Sequence, residues 1–389
     1  MVRTHGSQPC NTGSIPVGGT NMSSDFSHKF FTSTITAWEG MYQAILGAQK
    51  SVYWEIYTFI DDKSGQMFTD LLCQKSAQGI DVKLILDAVG SYSLSQESIK
   101  KLRASGIAVI IFHPLSLNLT VKDWWRRMWQ RTHCKLLLID EEIAFVGGVN
   151  ISHQMMDWDD LHLRLTGQVI RPLLRYFGKK YIRLGGSDKE VKHLLYSTTS
   201  DWFENVKPKI KYILHTPKYA RPGSPFRGFY RRSLRQAKNS FNLLTPYYAP
   251  DPMFLELVYR AVKRGVKVNI ILPFQTDIRL MAYMAKAFYG ISKKAGASFY
   301  FLKKMNHGKA VSVDNQMGLV GSANLTPRGL FLNHEAGVVF TEERMVRELN
   351  SILENWKQQA DPLLELDFKR QGWFRRFKDW WVRRVRDYV

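Results

Sequence analysis

The sequence predicts an α/β fold of two repeated α/β/α sandwich domains, related by a pseudo-twofold axis and sharing one active site. Three observations predict it. A polar motif occurs twice with the same internal spacing, both copies lie among apolar, strand-like residues, and the same strand–helix–strand order precedes each copy. The chain of 389 residues is also long enough for two domains with buried cores.

The repeated motif is the strongest of these signals. It reads His-x-Lys-(x)4-Asp-(x)6-Gly-x-x-Asn, and its two copies agree over 18 positions and lie 174 positions apart. Its members are, in chain order, His133, Lys135, Asp140, Gly147 and Asn150, then His307, Lys309, Asp314, Gly321 and Asn324. Such agreement within one chain is hard to reach by chance, so the motif indicates the same chemistry in both halves.

Each copy offers an imidazole, an ammonium and an amide donor. Residues at i and i+2 of a strand project to the same face, so the histidine and lysine of each copy should point together. The glycines allow the backbone to approach a ligand closely. Two copies brought together would surround a tetrahedral anion with donors, with one histidine on either side of it.

The repeat extends to the elements that precede each motif. In the first half an apolar strand follows residues 48–51, and a helix then leads to the apolar residues 79–87; residues 237–240 and 265–273 repeat this order in the second half. Near-continuous apolar strands joined by helices favour a largely parallel, buried sheet covered by helices.

Composition sets the predicted domain boundaries. Residues 1–26 are rich in Gly, Ser, Thr, Asn and Pro and are predicted to be disordered, without the apolar stretch of a signal peptide. Residues 27–205 and 237–348 are the two predicted domains, and the basic segment 206–236 is expected to be a linker or surface loop. C-terminal helices are predicted over 349–389. Since no run of about 18 apolar residues occurs, no membrane-spanning helix is expected.

Charge and cysteine content suggest the partner and the compartment. The chain has 55 Lys and Arg against 34 Asp and Glu, a formal net charge of +21, which indicates an anionic partner, either nucleic acid or an acidic lipid surface. Cys10, Cys73 and Cys134 lie far apart without metal-ligand spacing, which fits a reducing, cytosolic compartment. No carboxylate cluster for Mg²⁺ or Ca²⁺ emerges, so neither a metal nor another cofactor is expected.

Two segments interleave basic residues with tryptophan. Residues 122–131 lead directly into the first motif, and residues 372–389 end the chain. Drawn as a helix, the second segment has aromatic residues on one face and arginines around the rest. Such a helix suits the headgroup layer of an anionic membrane, although a terminal helix docked on the protein and a nucleic-acid stacking platform are alternatives.

Over roughly residues 28–345 the chain resembles the phospholipase D superfamily, whose His-x-Lys-(x)4-Asp motif occurs twice per active site. It is most similar to bacterial cardiolipin synthases: residues 158–164 lie where these enzymes carry a Trp-Arg-Asp-Thr-His-Val-Arg-like segment, and residues 333–335 where they carry Asn-x-Glu. Asp159 stands where arginine is usual, and residues 326–329 replace the usual Asp-x-Arg-Ser.

The resemblance implies a set of site residues. The expected catalytic set is His133, Lys135, Asp140, His307, Lys309 and Asp314. Within it we expect His133 to attack phosphorus, His307 to act as acid and base, and the two aspartates to have a structural part. Phosphate binding is expected of the lysines and of Asn150, Asn324 and Ser322, while Asp160 and Glu335, one from each half, would orient the histidines.

The function implied by the resemblance is that of a cardiolipin synthase-like phosphatidyltransferase acting on phosphatidylglycerol through a phosphohistidine intermediate. A phospholipase D hydrolase, a nuclease of the same superfamily and a non-enzymatic lipid-binding protein are the alternatives. The Trp- and Arg-rich terminal segment favours lipid over DNA. We therefore expect anionic phospholipids as partners and a peripheral location on the cytoplasmic side of the cell membrane.

Overall fold

Each half of the chain builds one seven-stranded mixed sheet. The computed structural model describes residues 26–115, 120–196, 209–217 and 223–369. The first half contains strands β1 (His28–Ser33), β2 (Ser51–Ile56), β3 (Asp81–Asp87), β4 (Ala108–Phe112), β5 (Leu136–Ile139), β6 (Ile143–Gly147) and β7 (Asp159–Thr166). Its helices are α1 (Thr34–Leu46), α2 (Lys63–Ala77), α3 (Gln96–Ala104), α4 (Val121–Trp129), α5 (Arg171–Arg183) and α6 (Asp188–Leu195).

The second half repeats this plan. Its strands are β8 (Ile210–His215), β9 (Ser240–Leu244), β10 (Lys267–Pro273), β11 (Ser298–Leu302), β12 (Ala310–Val313), β13 (Met317–Gly321) and β14 (Glu335–Phe340). Its helices are α7 (Pro225–Gln236), α8 (Pro252–Lys263), α9 (Arg279–Lys294), α10 (Glu343–Gln358) and α11 (Pro362–Lys369). The sheet orders, β1-β7-β6-β5-β2-β3-β4 and β8-β14-β13-β12-β9-β10-β11, correspond strand by strand and confirm the predicted repeat of two α/β domains.

The prediction of a largely parallel sheet is wrong. Parallel pairing is confined to β2-β3-β4 and to β9-β10-β11, and the other neighbours in both sheets are antiparallel. The cause lies in the motif, since its strand turns back at once into the next. The turn residues Asp140 and Glu141 have φ of 52° and 59°, and Asp314 and Asn315 both have 54°, as tight hairpin turns require.

Segment 206–236, predicted as a linker or loop, contains regular structure. Strand β8 pairs with β14 at the edge of the second sheet, and α7 buries Phe226, Phe229 and Tyr230 in the core of the second half. Its arginines lie on the opposite, exposed side, as at Arg231 and Arg232. Part of the charge of the segment thus lies on the exposed side of an amphipathic helix, which composition alone does not reveal.

The two sheets share a core. One continuous apolar cluster combines residues of β5, β6 and β7 with residues of β9, β12, β13 and β14, and α5, α6 and α10 contribute to it. Helices α1 to α3 cover the other face of the first sheet, and α7 to α9 cover that of the second. Strand β6 also contacts β13 and β14, and the segments that precede β5 and β12 each form a bridge with the other half, Thr132 with His334 and Asn306 with Asp159.

Two predicted segments fall outside this description. Of the N-terminal residues 1–26 only residue 26 is described, and the predicted amphipathic helix over 372–389 lies wholly beyond the described residues. Across the ranges that are described, no helix combines the length and the apolar character needed to cross a membrane.

Candidate active site

The first motif histidine is held by the opposite half of the molecule. The backbone N–H of His133 donates to the carbonyl of His334 at 2.9 Å, and its ring Nδ1 lies 3.0 and 3.1 Å from the two carboxylate oxygens of Glu335. Glu335 is fully buried, at the start of β14. The imidazole of one half is therefore positioned by the backbone and the carboxylate of the other.

The second motif histidine repeats this arrangement with the halves exchanged. The backbone N–H of His307 donates to the carbonyl of Asp159 at 2.7 Å, and its Nδ1 lies 2.9 Å from Oδ2 of Asp160. Asp160 is buried in β7 of the first sheet and also accepts the Leu161 N–H at 2.7 Å. The two contacts together make one site that neither half could form alone.

The crossing of these pairs is not apparent in the sequence. Asp160 follows His133 and Glu335 follows His307 at nearly equal spacing, which shows that each half supplies one carboxylate. The structure brings all four residues together, but each carboxylate contacts the histidine of the other half.

The carboxylates fix the tautomers of both imidazoles. Burial raises the pKa of Glu335, but the nearby His133 and Lys135 outweigh it and bring the pKa below its ordinary value. The pKa of Asp160 is likewise lowered, since His307 and Lys309 outweigh the effect of its burial. Ionised carboxylates only accept hydrogen bonds, so each Nδ1 carries the donated proton and each Nε2 keeps a free lone pair.

Both imidazoles are neutral near pH 7. Burial lowers the pKa of His133 to about 4, although Glu335 opposes this shift. Burial and the Lys309 ammonium together lower the pKa of His307. A neutral imidazole with a free Nε2 is a nucleophile or a base, and proton uptake converts it to an acid.

The two motif lysines lie beside their histidines. Nζ of Lys135 donates to the carbonyl of His133 at 2.8 Å, and Nζ of Lys309 donates to the carbonyl of His307. Burial lowers the pKa of Lys135 to about 8 and that of Lys309 well below its ordinary value, with the carboxylates opposing the shift. Within the described ranges no three His, Cys, Asp or Glu side chains are placed to hold a metal ion.

Ser322, predicted to bind phosphate, is engaged elsewhere. Its hydroxyl donates to Oε2 of Glu335 and accepts the Ala336 N–H at 3.0 Å. The first half has Gly148 at this position, where a Cβ atom would lie only 2.0 Å from Oδ1 of Asp160. Ser322 thus helps to position Glu335, and a glycine is required where the shorter carboxylate approaches the backbone.

The motif asparagines lie three residues after the ends of β6 and β13. Asn150 and Asn324 are both buried, and Oδ1 of Asn150 accepts the Thr58 N–H at 3.2 Å, which leaves its amide N–H groups as the donors. Oδ1 of Asn324 has no hydrogen-bond partner among the residues that the structure describes. Their predicted phosphate contacts stay a prediction.

The motif aspartates face away from the histidines and hold backbone. Asp140 accepts the N–H groups of Gln49, Lys50 and Ser51 at 2.7–3.1 Å. Asp314 accepts the three corresponding N–H groups, those of residues 238–240, at 2.7–2.8 Å. Each carboxylate joins the motif hairpin to the start of the neighbouring strand.

Three aromatic residues border the site without having been assigned a role from the sequence. The Tyr57 ring lies edge-on to His133 with centroids 4.9 Å apart, while Trp158 and Tyr247 lie 5.7 and 6.2 Å from His307. The Tyr247 hydroxyl donates to Asp277 at 2.7 Å. Tyr57 directly follows β2, and Tyr247 lies three residues after the corresponding strand β9; this nearness to the strand ends is the sequence signal that could have identified them.

Buried charges support the segment before His133. Arg131 forms an ion pair with Asp87 at 2.8 Å, with both side chains fully buried. Glu55 receives hydrogen bonds from Lys180 and from the Thr132 hydroxyl, and Lys180 also donates to that hydroxyl at 2.8 Å. These contacts hold the backbone of the segment that leads to His133.

The second half supports His307 by different means. The positions that correspond to Glu55, Asp87 and Arg131 are Leu244, Pro273 and Met305, none of which carries a charge. The two halves of the site are therefore equivalent in their histidines but not in the residues that support the backbone before each histidine.

Comparison with known proteins identifies the family. The family model described as "Cardiolipin synthase, PLD-like domain" matches residues 41–170 and 230–357. Minor cardiolipin synthase ClsB of Bacillus subtilis is 27% identical over 351 residues, covering 88% of this chain and 84% of that protein. Probable cardiolipin synthase YwiE of the same organism is 23% identical over 393 aligned positions, covering 96% and 74%.

Solved structures show the same fold. A phosphatidylserine synthase from Haemophilus influenzae Rd KW20 matches with a TM-score of 0.65 and 15% identity, covering 93% of this chain and 95% of that one. A polyphosphate kinase from Porphyromonas gingivalis matches with a TM-score of 0.55 and 14% identity, covering 85% and 46%. With the duplicated motif and the repeated domains, these comparisons show that the chain belongs to the phospholipase D superfamily, in the family of cardiolipin synthase PLD-like domains.

Proposed function

We propose that this protein, a cardiolipin synthase-like phosphatidyltransferase, transfers the phosphatidyl group of one phosphatidylglycerol to another through a phosphohistidine intermediate. One observation carries the proposal. Two buried imidazoles, each held at Nδ1 by a carboxylate of the opposite half, stand beside two buried lysines. Such a site supplies a nucleophile, an acid and base, and positive charge for a single phosphodiester.

Binding of the phosphodiester uses the positive groups. Lys135 and Lys309, with the amide groups of Asn150 and Asn324, bind the nonbridging oxygens and stabilise the charge that builds up on them at the transition state. The arriving negative charge favours the protonated forms of buried bases. Substrate binding therefore promotes proton uptake by an imidazole that is neutral before the substrate arrives.

The first step forms the intermediate. Nε2 of His133 attacks phosphorus, and the bond between phosphorus and the glycerol headgroup oxygen breaks. His307, protonated on substrate binding, gives its Nε2 proton to the departing oxygen, so glycerol leaves as a neutral alcohol. Glu335 stabilises the positive charge that the phosphorylated imidazole acquires, as an orienting carboxylate does for an imidazolium.

The second step reverses the proton transfer. His307, now neutral, takes the proton from a headgroup hydroxyl of a second phosphatidylglycerol, whose oxygen attacks phosphorus. The bond to Nε2 of His133 breaks, and cardiolipin leaves. Water must be kept from the intermediate, since its attack would give phosphatidic acid instead.

The substrate and partner are anionic lipids in this proposal. The formal charge of +21 and the Trp- and Arg-rich residues 372–389 fit a protein that works at the surface of an anionic membrane. We place it peripherally, on the cytoplasmic side of the cell membrane. Nucleic acid is the less favoured anionic partner.

Product analysis tests the proposal. Purified protein is incubated with phosphatidylglycerol vesicles, and the products are identified by mass spectrometry beside a His133→Ala control. Cardiolipin and glycerol in equal amounts, absent from the control, are the expected result. Phosphatidic acid would instead indicate a hydrolase, and DNA cleavage without lipid turnover would indicate a nuclease.

A further inference from the structure

Helix α4 carries an apolar face that is open to solvent. At 100° per residue, one side of the helix collects its large apolar residues. They are Val121, Trp124, Trp125, Met128 and Trp129. Every residue of α4 is at least partly exposed, Val121 to 76% and Trp125 to 51%. A surface helix normally packs such a face against its own protein, but the described residues leave Val121 and Trp125 largely uncovered.

The other side of α4 is polar and mainly basic. It carries Lys122, Arg126 and Arg127, with Asp123 as the single acidic residue. Asp123 is engaged at the start of the helix, where it accepts from the Thr120 hydroxyl at 2.8 Å, and it pairs with Arg126 at 3.0 Å. The cationic side therefore complements an anionic surface that receives the apolar side.

The position of α4 is fixed beside the catalytic site. Arg328 of the second half lies over the Trp129 ring, 5.7 Å from its centroid, and donates to the Met128 carbonyl at 3.4 Å. His133 follows Trp129 by four residues, a reach of at most about 14 Å along the chain. Any surface that α4 contacts is thus held next to the proposed nucleophile.

The second half has exposed apolar residues at the corresponding end of its sheet. Ile278 and Leu280 follow β10 and are 46% and 40% exposed. Strand β10 pairs with β9 in parallel, and the last residue of β9 lies opposite Ala310, three residues after His307. These side chains therefore lie at the same end of the molecule as the histidines.

We propose that α4 is a membrane-docking helix, which inserts its apolar face among the headgroups of an anionic bilayer and holds the active site over its lipid substrate. Tryptophan on the apolar side and arginine on the other are the composition that such interfacial helices use. Ile278 and Leu280 contact the same bilayer from the second half. The inference rests on the proposed function, because it identifies the surface through which a lipid-transferring site meets its membrane.

The experiment compares two double variants of the full chain. In the test variant Val121 and Trp125 both become aspartate (V121D/W125D). In the matched control Leu46 and Tyr259, a similarly exposed aliphatic and aromatic pair on α1 and α8, both become aspartate (L46D/Y259D). Each variant loses one aliphatic and one aromatic side chain and gains two negative charges.

Vesicle binding is the first readout. The affinity for phosphatidylglycerol vesicles, measured by cosedimentation, should weaken about tenfold or more in V121D/W125D, because two apolar side chains no longer insert into the bilayer. In L46D/Y259D it should stay within about twofold. Equal weakening in both variants, or none in V121D/W125D, would overturn the proposal. Turnover of monomeric dihexanoyl phosphatidylglycerol should be unchanged in V121D/W125D, because the site itself is intact; absence of this turnover in the unaltered protein would count against the proposed function alone.

A fluorescent probe keeps the inference testable if V121D/W125D does not fold. Cys10 and Cys73 are replaced by serine, and an environment-sensitive dye is attached to the thiol of W125C. The dye should shift to the blue on addition of phosphatidylglycerol vesicles and much less with phosphatidylcholine vesicles. A dye already blue-shifted without vesicles, as a covering segment of this chain or a second copy would cause, would overturn the proposal.

Discussion

Replacing Glu335 by glutamine tests the crossed pairing of histidine and carboxylate. Glutamine keeps the size of the side chain but removes its charge. In the folded protein Glu335 is fully buried, contacts Nδ1 of His133 at 3.0 and 3.1 Å, and accepts the Ser322 hydroxyl. The change therefore removes negative charge from the imidazole that becomes positive in the proposed intermediate.

The size of the effect follows from the lost hydrogen bond. A hydrogen bond to a charged partner contributes about 1.5–3 kcal/mol, so kcat/KM should fall roughly 10- to 150-fold. The pH profile should also change. Burial lowers the pKa of Lys135 to about 8, and Glu335 opposes that shift more than any other group. Because the Lys135 ammonium is lost as pH rises, its contribution to kcat/KM should fall above about pH 8 in the unaltered enzyme and at lower pH in Glu335→Gln.

The assay measures kcat/KM for dihexanoyl phosphatidylglycerol between pH 5 and 10. Ser322→Ala is the control, because it removes a hydrogen bond to Glu335 but keeps the carboxylate charge. It should cost about 2- to 13-fold, the equivalent of roughly 0.5–1.5 kcal/mol, with the alkaline fall in its original place. If kcat/KM of Glu335→Gln stays within twofold of that of the unaltered enzyme, with the same alkaline pH dependence, the proposed role of the Glu335 carboxylate is wrong.

Three further predictions concern stability. Asp314→Ala should lower the free energy of unfolding by about 1–2 kcal/mol, because three backbone N–H groups lose their acceptor, while a more than tenfold loss of kcat in the folded enzyme would instead make Asp314 catalytic. Lys180→Met should lower the free energy of unfolding, measured with urea, by about 3–5 kcal/mol, because Glu55 is left buried without its cation. Adding Glu55→Gln should recover much of that loss, and equal stability of the single and double variants would contradict this prediction. Burial lowers the pKa of His162 to about 4, so between pH 6.5 and 4 the unfolded state binds a proton that the folded state does not, and stability falls as the pH is lowered through this range. His162→Gln should reduce that slope by up to about 1.4 kcal/mol per pH unit, and an unchanged slope would show that the group does not contribute.

The sequence predicts those features of the site that depend on residues close together in the chain. The spacing of His133, Lys135 and Asp140, and its repetition, predicts the equivalent halves and the residues that each brings to the site. The structural part expected of the aspartates also agrees with the contacts of Asp140 and Asp314 to backbone N–H groups.

What depends on packing between the halves could not be predicted. Spacing along the chain relates Asp160 to His133, but the packing of the two sheets against each other places Asp160 in contact with His307 instead. The phosphate contact expected of Ser322 depends on a free hydroxyl, and the position of Glu335 shows that this hydroxyl already donates to a carboxylate. The high net charge of residues 206–236 favours a loop in the sequence, whereas the apolar faces of β8 and α7 pack in the core of the second half.

The most direct test of the account is the location of the covalent intermediate. Phosphatidyl p-nitrophenol has a leaving group that needs no acid, so His307→Asn should still release one equivalent of p-nitrophenolate in a burst. The phosphatidyl group should then remain on the enzyme, because the base for the second step is missing, and mass spectrometry should find it on the peptide that contains His133. His133→Asn should give neither burst nor adduct. A burst in His133→Asn with the adduct on His307 would reverse the roles of the two histidines, and the absence of any adduct would contradict covalent catalysis.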